Sequence, residues 1–432
     1  MNFHYNKLNN RFVINFFFLI VLLFFFTVFK KSFFQVIGDG WAYNELFINY
    51  EYGVVRRGLV GNIFIKFYNF LNIKPLFFFS FLFLILYFVN IYLFYKIIEK
   101  WQKSLVISAI IIFSPALLLF PVYDENVYFT RDIFIKLSVL FHAYISSQII
   151  QKKIIKINYL NFLRFILIPT LFILIFVHEL QIVFLSVHLL ITYTVLQYQN
   201  IKNKFFYFFY YLIIPIPLIY LIYISGNIDQ FNQLNEFLIN NFNINIHPQT
   251  GKSFVSNLGN FYKWHFYYFE YEDFINTFLS FIFSFYLIFL IFEYLIKIKI
   301  IETSMNLKKK YIFFFIPCMF SFLLTDHGRT ISFFANHLIA FYMILNVDQK
   351  KLENYLSDIK KFFFIKQTII IFCFFYIFLW GLTQSAGLGI RAKKTSVFQS
   401  PISSKIIYLT NSSYFFLKNK IFKEWPDIRK NL

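Results

Sequence analysis

Eleven apolar runs recur along this chain, at roughly 12–29, 76–94, 104–120, 133–150, 160–177, 181–198, 205–224, 275–295, 310–325, 330–346 and 363–381. At about 1.5 Å per residue, a helix of such length covers most of a roughly 30 Å hydrocarbon layer. No single water-facing core buries that many apolar segments, so the chain needs a lipid solvent. The runs are rich in Phe and Leu and lack strict alternation, which argues against an outer-membrane barrel. The expected fold class is all-α: a polytopic integral membrane protein with about 11 transmembrane helices.

Orientation follows from the short connections. The leader "MNFHYNKLNNR" is basic and no small-residue cleavage site follows the first run, so that run reads as an uncleaved signal anchor. With the N-terminus cytoplasmic, "YKIIEKWQK", "QKKIIK", "NIKNK", "KIKIIETSMNLKKK" and "DQKKLENYLSDIKK" all fall on the cytoplasmic side, as the positive-inside rule requires. The chain then divides into a transmembrane domain over 1–381, with outer loops 30–75 and 225–274, and a non-cytoplasmic tail over 382–432. The plasma (inner) membrane is the expected location, with the active face non-cytoplasmic. A formal charge of +20 raises the question of nucleic acid. The charges flank lipid spans in ones and twos and form no stripe, so membrane lipids are the expected partners and nucleic acid is not. Cys318 and Cys373 both fall inside runs and form neither a disulfide framework nor a CxxC site.

The composition otherwise leans on Phe, Ile, Leu, Asn, Tyr and Lys, so a Gly or an Arg stands out. Five of the 12 glycines and two of the eight arginines crowd into "GDGWAYNELFINYEYGVVRRGLVG" at 38–61. With the deduced topology that stretch shares one face with "PVYDENVYFTRD", "VHELQ", "KWHFYYFEYEDF" and "TDHGRT", and fifteen of the 21 acidic residues lie there. Ionisable groups close to a membrane are costly and are functional candidates by default. One site on the outer face is the economical expectation.

Each motif carries two readings. "GDGWAY" makes either a tight turn capped by Asp39, with Trp41 and Tyr43 as interfacial anchors, or a carboxylate on a flexible stretch that approaches a substrate closely, with Trp41 and Tyr43 offering a stacking surface. Glu45 and Glu51 are the reserve carboxylates of the same loop. Arg56 and Arg57 either snorkel to headgroups or clamp a phosphate with forked donors, helped by Gly58 and Gly61. Arg131 joins them as a binding candidate. His178 and Glu179 form either a polar hairpin or part of the site, and no HExxH supports a zinc protease. In "TDHGRT", Asp326 and Arg329 either lock a hairpin or act, with His327, on a substrate. His142, His188 and His337 lie within runs and are expected to pack or to hydrogen-bond between helices rather than to bind metal.

A first span, an outer loop with an acidic residue about ten positions on, and a short amphipathic stretch before the second span resemble the multi-spanning glycosyltransferases of the GT-C superfamily. The same features resemble the related exopolysaccharide and O-antigen polymerase-like proteins. The resemblance implies a polyprenyl-phosphate or polyprenyl-diphosphate-linked sugar as donor, a glycan or lipid as acceptor, and a role in polysaccharide biosynthesis at the cell envelope. It places Asp39 at the reaction centre, and "DHGR" is similar to an acidic-and-arginine motif of some polymerase-like members. No adjacent acidic pair stands in the first loop, and a divalent metal cofactor is left open. The residues themselves are coherent with such chemistry, since Asp or Glu can deprotonate a hydroxyl and Arg can hold a departing phosphate. Transport or lipid flipping is the alternative, and it requires polar groups at mid-depth. A non-catalytic envelope assembly protein is a third.

Overall fold

The computed structural model describes residues 2–34, 41–53, 55, 57–101, 104–123, 127–151, 156–201, 204–223, 226–246, 278, 280–302, 307–323 and 327–361. It is mostly helical, and four helices are long and apolar enough to cross a membrane: Pro75–Trp101, Asp132–Ile150, Ile157–Val177 and Gln181–Tyr198. Their length and apolar character suit a helical membrane protein. The expected span at 363–381 and the tail lie outside the described residues, as does most of loop 225–274.

In chain order the helices are α1 (Asn2–Phe34), α2 (Trp41–Glu45), α3 (Leu59–Leu71), α4 (Pro75–Ile98), α5 (Leu105–Phe113), α6 (Phe120–Tyr123), α7 (Asp132–Ile150), α8 (Lys156–Phe162), α9 (Ile168–Val177), α10 (Gln181–Tyr198), α11 (Lys204–Phe209), α12 (Ile216–Tyr223), α13 (Ile228–Phe242), α14 (Leu287–Lys297), α15 (Leu307–Leu323), α16 (His327–Ile344) and α17 (Gln349–Lys361). The axis of the bundle is α7 against α16, with α4 and α10 flanking α7 and α15 closing on α10 and α16. From Ile331 onward the apolar side chains of α16 are wholly buried, which marks a helix surrounded by protein on every side. On α4 one face meets protein through Phe79, Phe83, Tyr87 and Phe94, while Phe77, Phe81, Ile85 and Phe88 remain exposed on the other. An exposed stripe of Phe and Ile on such a helix is a lipid-facing surface.

Two expected spans are broken, and proline accounts for both. The run at 104–120 gives only nine helical residues in α5, capped where Ser104 accepts from the Ile107 amide. Ser114 is extended, at φ −62 and ψ 124, because Pro115 excludes the helical region for the residue before it. A break among packed helices strands backbone carbonyls, and none can be left unpaired in lipid. The Ala116 carbonyl is met by Ser332 Oγ at 2.7 Å and Asn336 Nδ2 at 3.4 Å, both from α16. The run at 205–224 is broken between α11 and α12 by a 3₁₀ turn ahead of Pro215. Between α8 and α9 a π turn, Leu163–Leu167, leads into Pro169 and accommodates its missing N–H without ending the helix.

The bundle has two distinct ends. At one, Lys100 Nζ donates to the Met343 carbonyl, Gln349 Nε2 to the Lys100 carbonyl, and the short strands β1 (Ile301–Glu302) and β2 (Asn346–Val347) pair antiparallel. Glu293 accepts there from Lys310, Tyr311 and Tyr342. These are the loops whose basic residues the sequence assigns to one side. At the other end α3 and α13 lie against the loop between α2 and α3. Asn227 and Gln230 form a reciprocal capping box that starts α13. Phe237 packs on Tyr52, and Phe242 on Phe64 and Tyr68.

Three of the crowded glycines now have a packing explanation. Gly53 stands at φ +125, where side chains are strained. A Cβ on Gly58 would meet the Tyr50 ring at 2.3 Å, and one on Gly61 the Ile48 carbonyl oxygen at 2.2 Å. A ring can rotate away, but that carbonyl belongs to the backbone. Gly61→Ala is therefore expected to cost about 1–3 kcal/mol and Gly58→Ala less, read as thermal unfolding of the purified protein in detergent. Wild-type stability in Gly61→Ala would contradict this close approach.

Candidate functional site

Four chain segments meet at the α3–α13 end of the bundle: the loop 45–57, the start of α7, the hairpin between α9 and α10, and the start of α16. Arg57 is 6% exposed. Its Nε lies 3.1 and 3.0 Å from the two carboxylate oxygens of Glu179, and Nη2 lies 2.6 Å from Oε1. Its Nη1 reaches Glu45 at 3.2 Å. Arg131 braces the other side, with Nη1 donating to the Arg57 carbonyl at 2.6 Å and Nη2 to the Glu45 carbonyl at 2.7 Å and carboxylate at 3.1 Å. Arg57 is itself left-handed, at φ 65. A non-glycine residue there carries strain of about 1–3 kcal/mol, and the bond from Arg131 to its carbonyl holds it in place.

The second half of the cluster is centred on Asp132, an acid in the first turn of α7, where the helix dipole favours it. Arg329 grips it in a two-pronged bond, Nε to Oδ2 at 2.7 Å and Nη2 to Oδ1 at 2.6 Å. The Leu180 amide donates to His178 Nδ1 at 3.3 Å. On the other side of the ring, Nε2 lies 3.3 Å from Arg329 Nη2, which can only donate, and 3.6 Å from Asp132 Oδ1. Burial, with the Arg57 charge second, pushes the His178 imidazole down to about 3, against the pull of Glu179 and Asp132. His178 is thus a neutral ring set between the two ion-paired halves. Burial also brings Arg131 down to about 10, with Glu45 opposing.

Of the residues singled out by sequence, Glu45, Arg57, Arg131, His178, Glu179 and Arg329 come together here. Glu51 is exposed on the neighbouring turn, its amide donating to Asn49 Oδ1. Tyr43 is buried against Phe47, Phe79 and Phe129, so its ring is part of the core and is not presented as a stacking surface. Trp41 opens α2 and His327 opens α16. Asp39, Arg56 and Asp326 lie outside the described residues. Arg329, weighed by sequence as a partner of Asp326, is bound to Asp132, and the Asp326 pairing lies outside the described residues.

Sequence reasoning gave no role to Lys136, one turn into α7, whose Nζ donates to Ser332 Oγ at 2.8 Å. A lone charge inside an apolar run was its signal. Within the apolar runs the structure also joins neutral polar groups from different helices. Gln181 Nε2 lies 3.3 Å from His188 Nε2, His188 Nδ1 lies 3.0 Å from His142 Nδ1, and His142 Nε2 lies 3.2 Å from Tyr159 Oη. The amide can only donate, so His188 carries its proton on Nδ1 and His142 on Nε2. Beyond them Tyr159 meets Ser146, and Thr192 meets Tyr211 at 2.6 Å. The file is wholly buried and runs from the first turn of α10 to the last two turns of α7. The expectation of interhelical hydrogen bonding for His142 and His188 fits this geometry. Among the described residues no group of three or more His, Cys, Asp or Glu is arranged to hold a metal ion.

No protein-family model, curated protein or solved structure matches the chain. The chemistry has to be read from the cluster itself: carboxylates able to take a proton beside guanidinium groups able to hold an oxyanion, all withdrawn from water. Removing one member leaves an uncompensated buried charge, which typically costs about 3–5 kcal/mol. Glu179→Gln should show a loss of that order in denaturant unfolding in micelles, and Glu179→Met combined with Arg57→Met should recover much of it. A coupling energy under about 0.5 kcal/mol would mean that the two do not act as a unit.

Proposed function

We propose that this protein transfers a sugar from a polyprenyl-phosphate or polyprenyl-diphosphate carrier to a glycan or lipid acceptor at the outer face of the plasma membrane, with the buried arginine–carboxylate cluster as its reaction centre. The observation that supports this reading is the convergence of Glu45, Arg57, Arg131 and Glu179 at one end of the bundle. Glu45 is the more loosely held carboxylate, with its Arg57 contacts at 3.2 and 3.4 Å against 2.6 Å for the shortest from Glu179. In the proposed reaction Glu45 takes the proton of the attacking hydroxyl while the bond between the anomeric carbon and the carrier phosphate breaks. Once neutral, Glu45 gives up its claim on Arg57 Nη1 and Arg131 Nη2, and those donors turn to the departing phosphate as its charge grows. Glu179 stays ionised and keeps the Arg57 fork aimed.

A second reading, proton-coupled transport or lipid flipping, is favoured by the buried file through His188 and His142, because polar groups at mid-depth are what a pathway needs.

The purified chain in liposomes, supplied with a polyprenyl-phosphate sugar and a lipid acceptor, distinguishes the two. Loss of a general base typically lowers rate by about 10²–10⁴-fold. Glu45→Gln should fall in that range, and Arg57→Lys should also be impaired because a point charge lacks the fork. Asp39→Asn, tested beside Glu45→Gln, assigns the base between the two carboxylates of the loop. Absence of sugar transfer by a folded wild type, with dye-detected proton flux that His142→Gln abolishes, would establish the second reading instead.

A further inference from the structure

Lys136 is the one cation of this region with no carboxylate at ion-pair distance among the described residues. Glu45 and Glu179 are engaged by Arg57 and Arg131, and Asp132 by Arg329. The Lys136 side chain is 4% exposed, and its ammonium donates only to the neutral Ser332 hydroxyl, which passes its own hydrogen to the Ala116 carbonyl at the α5–α6 break. An ammonium has three N–H donors, so two are left over in a place without bulk water. The Phe120 ring, 4.7 Å from Nζ, and the Phe333 ring, at 5.8 Å, offer only their faces. Spare acceptors stand on the same helix as Ser332. Among the described residues, Asn336, bonded to the same Ala116 carbonyl, leaves Oδ1 unpartnered, and His337, whose Nδ1 donates to the Phe333 carbonyl at 2.7 Å, leaves Nε2 unpartnered. Both side chains are fully buried.

Unused charged donors on α7 and unused acceptors on the same stretch of α16 as Ser332 describe a ligand with a negative oxygen and a hydroxyl hydrogen. We infer that Lys136, Ser332, Asn336 and His337 line a phosphate subsite one helical turn beneath the Asp132–Arg329 pair, with Lys136 on an ionised phosphate oxygen and the two acceptors on a protonated oxygen or an adjoining hydroxyl. A phosphate fits better than a carboxylate because a singly ionised phosphate carries both kinds of oxygen at once. The break between α5 and α6 orients Ser332 and Asn336, since a continuous helix would present no free Ala116 carbonyl to them. The inference stands on these side chains alone and does not require that sugar transfer be the reaction.

Binding to the folded state alone raises its melting temperature by mass action. The full chain in detergent micelles is melted with millimolar sodium phosphate against sodium chloride at equal ionic strength, and separately in micelles doped with phosphatidic acid against phosphatidylcholine. A saturable rise of about 2 °C or more is expected in the wild type with phosphatidic acid. A rise with inorganic phosphate as well means that the headgroup chemistry suffices, and a rise with the lipid alone means that the acyl chains are part of the ligand. Lys136→Met should lose the response while melting no lower than wild type without ligand, because it removes a buried charge that has no acid partner. Lys136→Gln serves if the Met variant does not fold. A wild type that melts identically in all four conditions overturns the inference, as does a Lys136 variant that responds as strongly as wild type.

Discussion

Everything at the α3–α13 end depends on Arg57 having carboxylates on two sides. A guanidinium this far from water is tolerated only when its donors are met by charge, and the attraction within such a pair is correspondingly strong in a low-dielectric setting. Meeting that demand ties loop 45–57 to the α9–α10 hairpin through Glu179, and Arg131 then fastens the same loop to the head of α7. The loop has little freedom left. Its left-handed backbone at Arg57 and its glycines at 58 and 61 follow from being pressed against the bundle by these bonds.

The helices were legible because apolar length is a strong and local signal: the runs at 76–94, 133–150 and 181–198 correspond to α4, α7 and α10 within a few residues. The breaks were less so. Pro115, Pro169 and Pro215 are equally visible in the sequence, yet one ends a helix, one is absorbed by a π turn and one sits beside a 3₁₀ turn. Which outcome prevails depends on whether a neighbour supplies donors for the stranded carbonyls, as Ser332 and Asn336 do for Ala116, and no local pattern records that.

The site was partly legible for a similar reason. Scarce Arg and acidic residues near span ends pointed to Arg57, Arg131, Glu179 and Arg329, but pairing is a matter of three dimensions, so Arg329 went to Asp132 across almost two hundred positions of chain. Neutral polar groups gave weaker warning still. His, Thr, Tyr, Ser and Gln scattered through apolar helices barely change average hydropathy, and the file from Gln181 to Tyr159 emerges only once α7, α8 and α10 are side by side. Tyr43 shows the opposite error, an aromatic that stood out by position and turned out to serve packing.

The separation of Asp132 from Arg329 along the chain also bears on how the protein is made. During stepwise insertion α7 enters the bilayer long before α16 is synthesised, and Asp132 then has no guanidinium to meet it. A carboxylate at the head of a membrane helix can linger near headgroups, so α7 is free to sit high until its partner arrives. When α16 docks, the Arg329 fork draws Asp132 into the bundle and Ser332 comes into reach of Lys136 one turn below. The Asp132 and Lys136 contacts to α16 can form only after residues 329 and 332 have been synthesised.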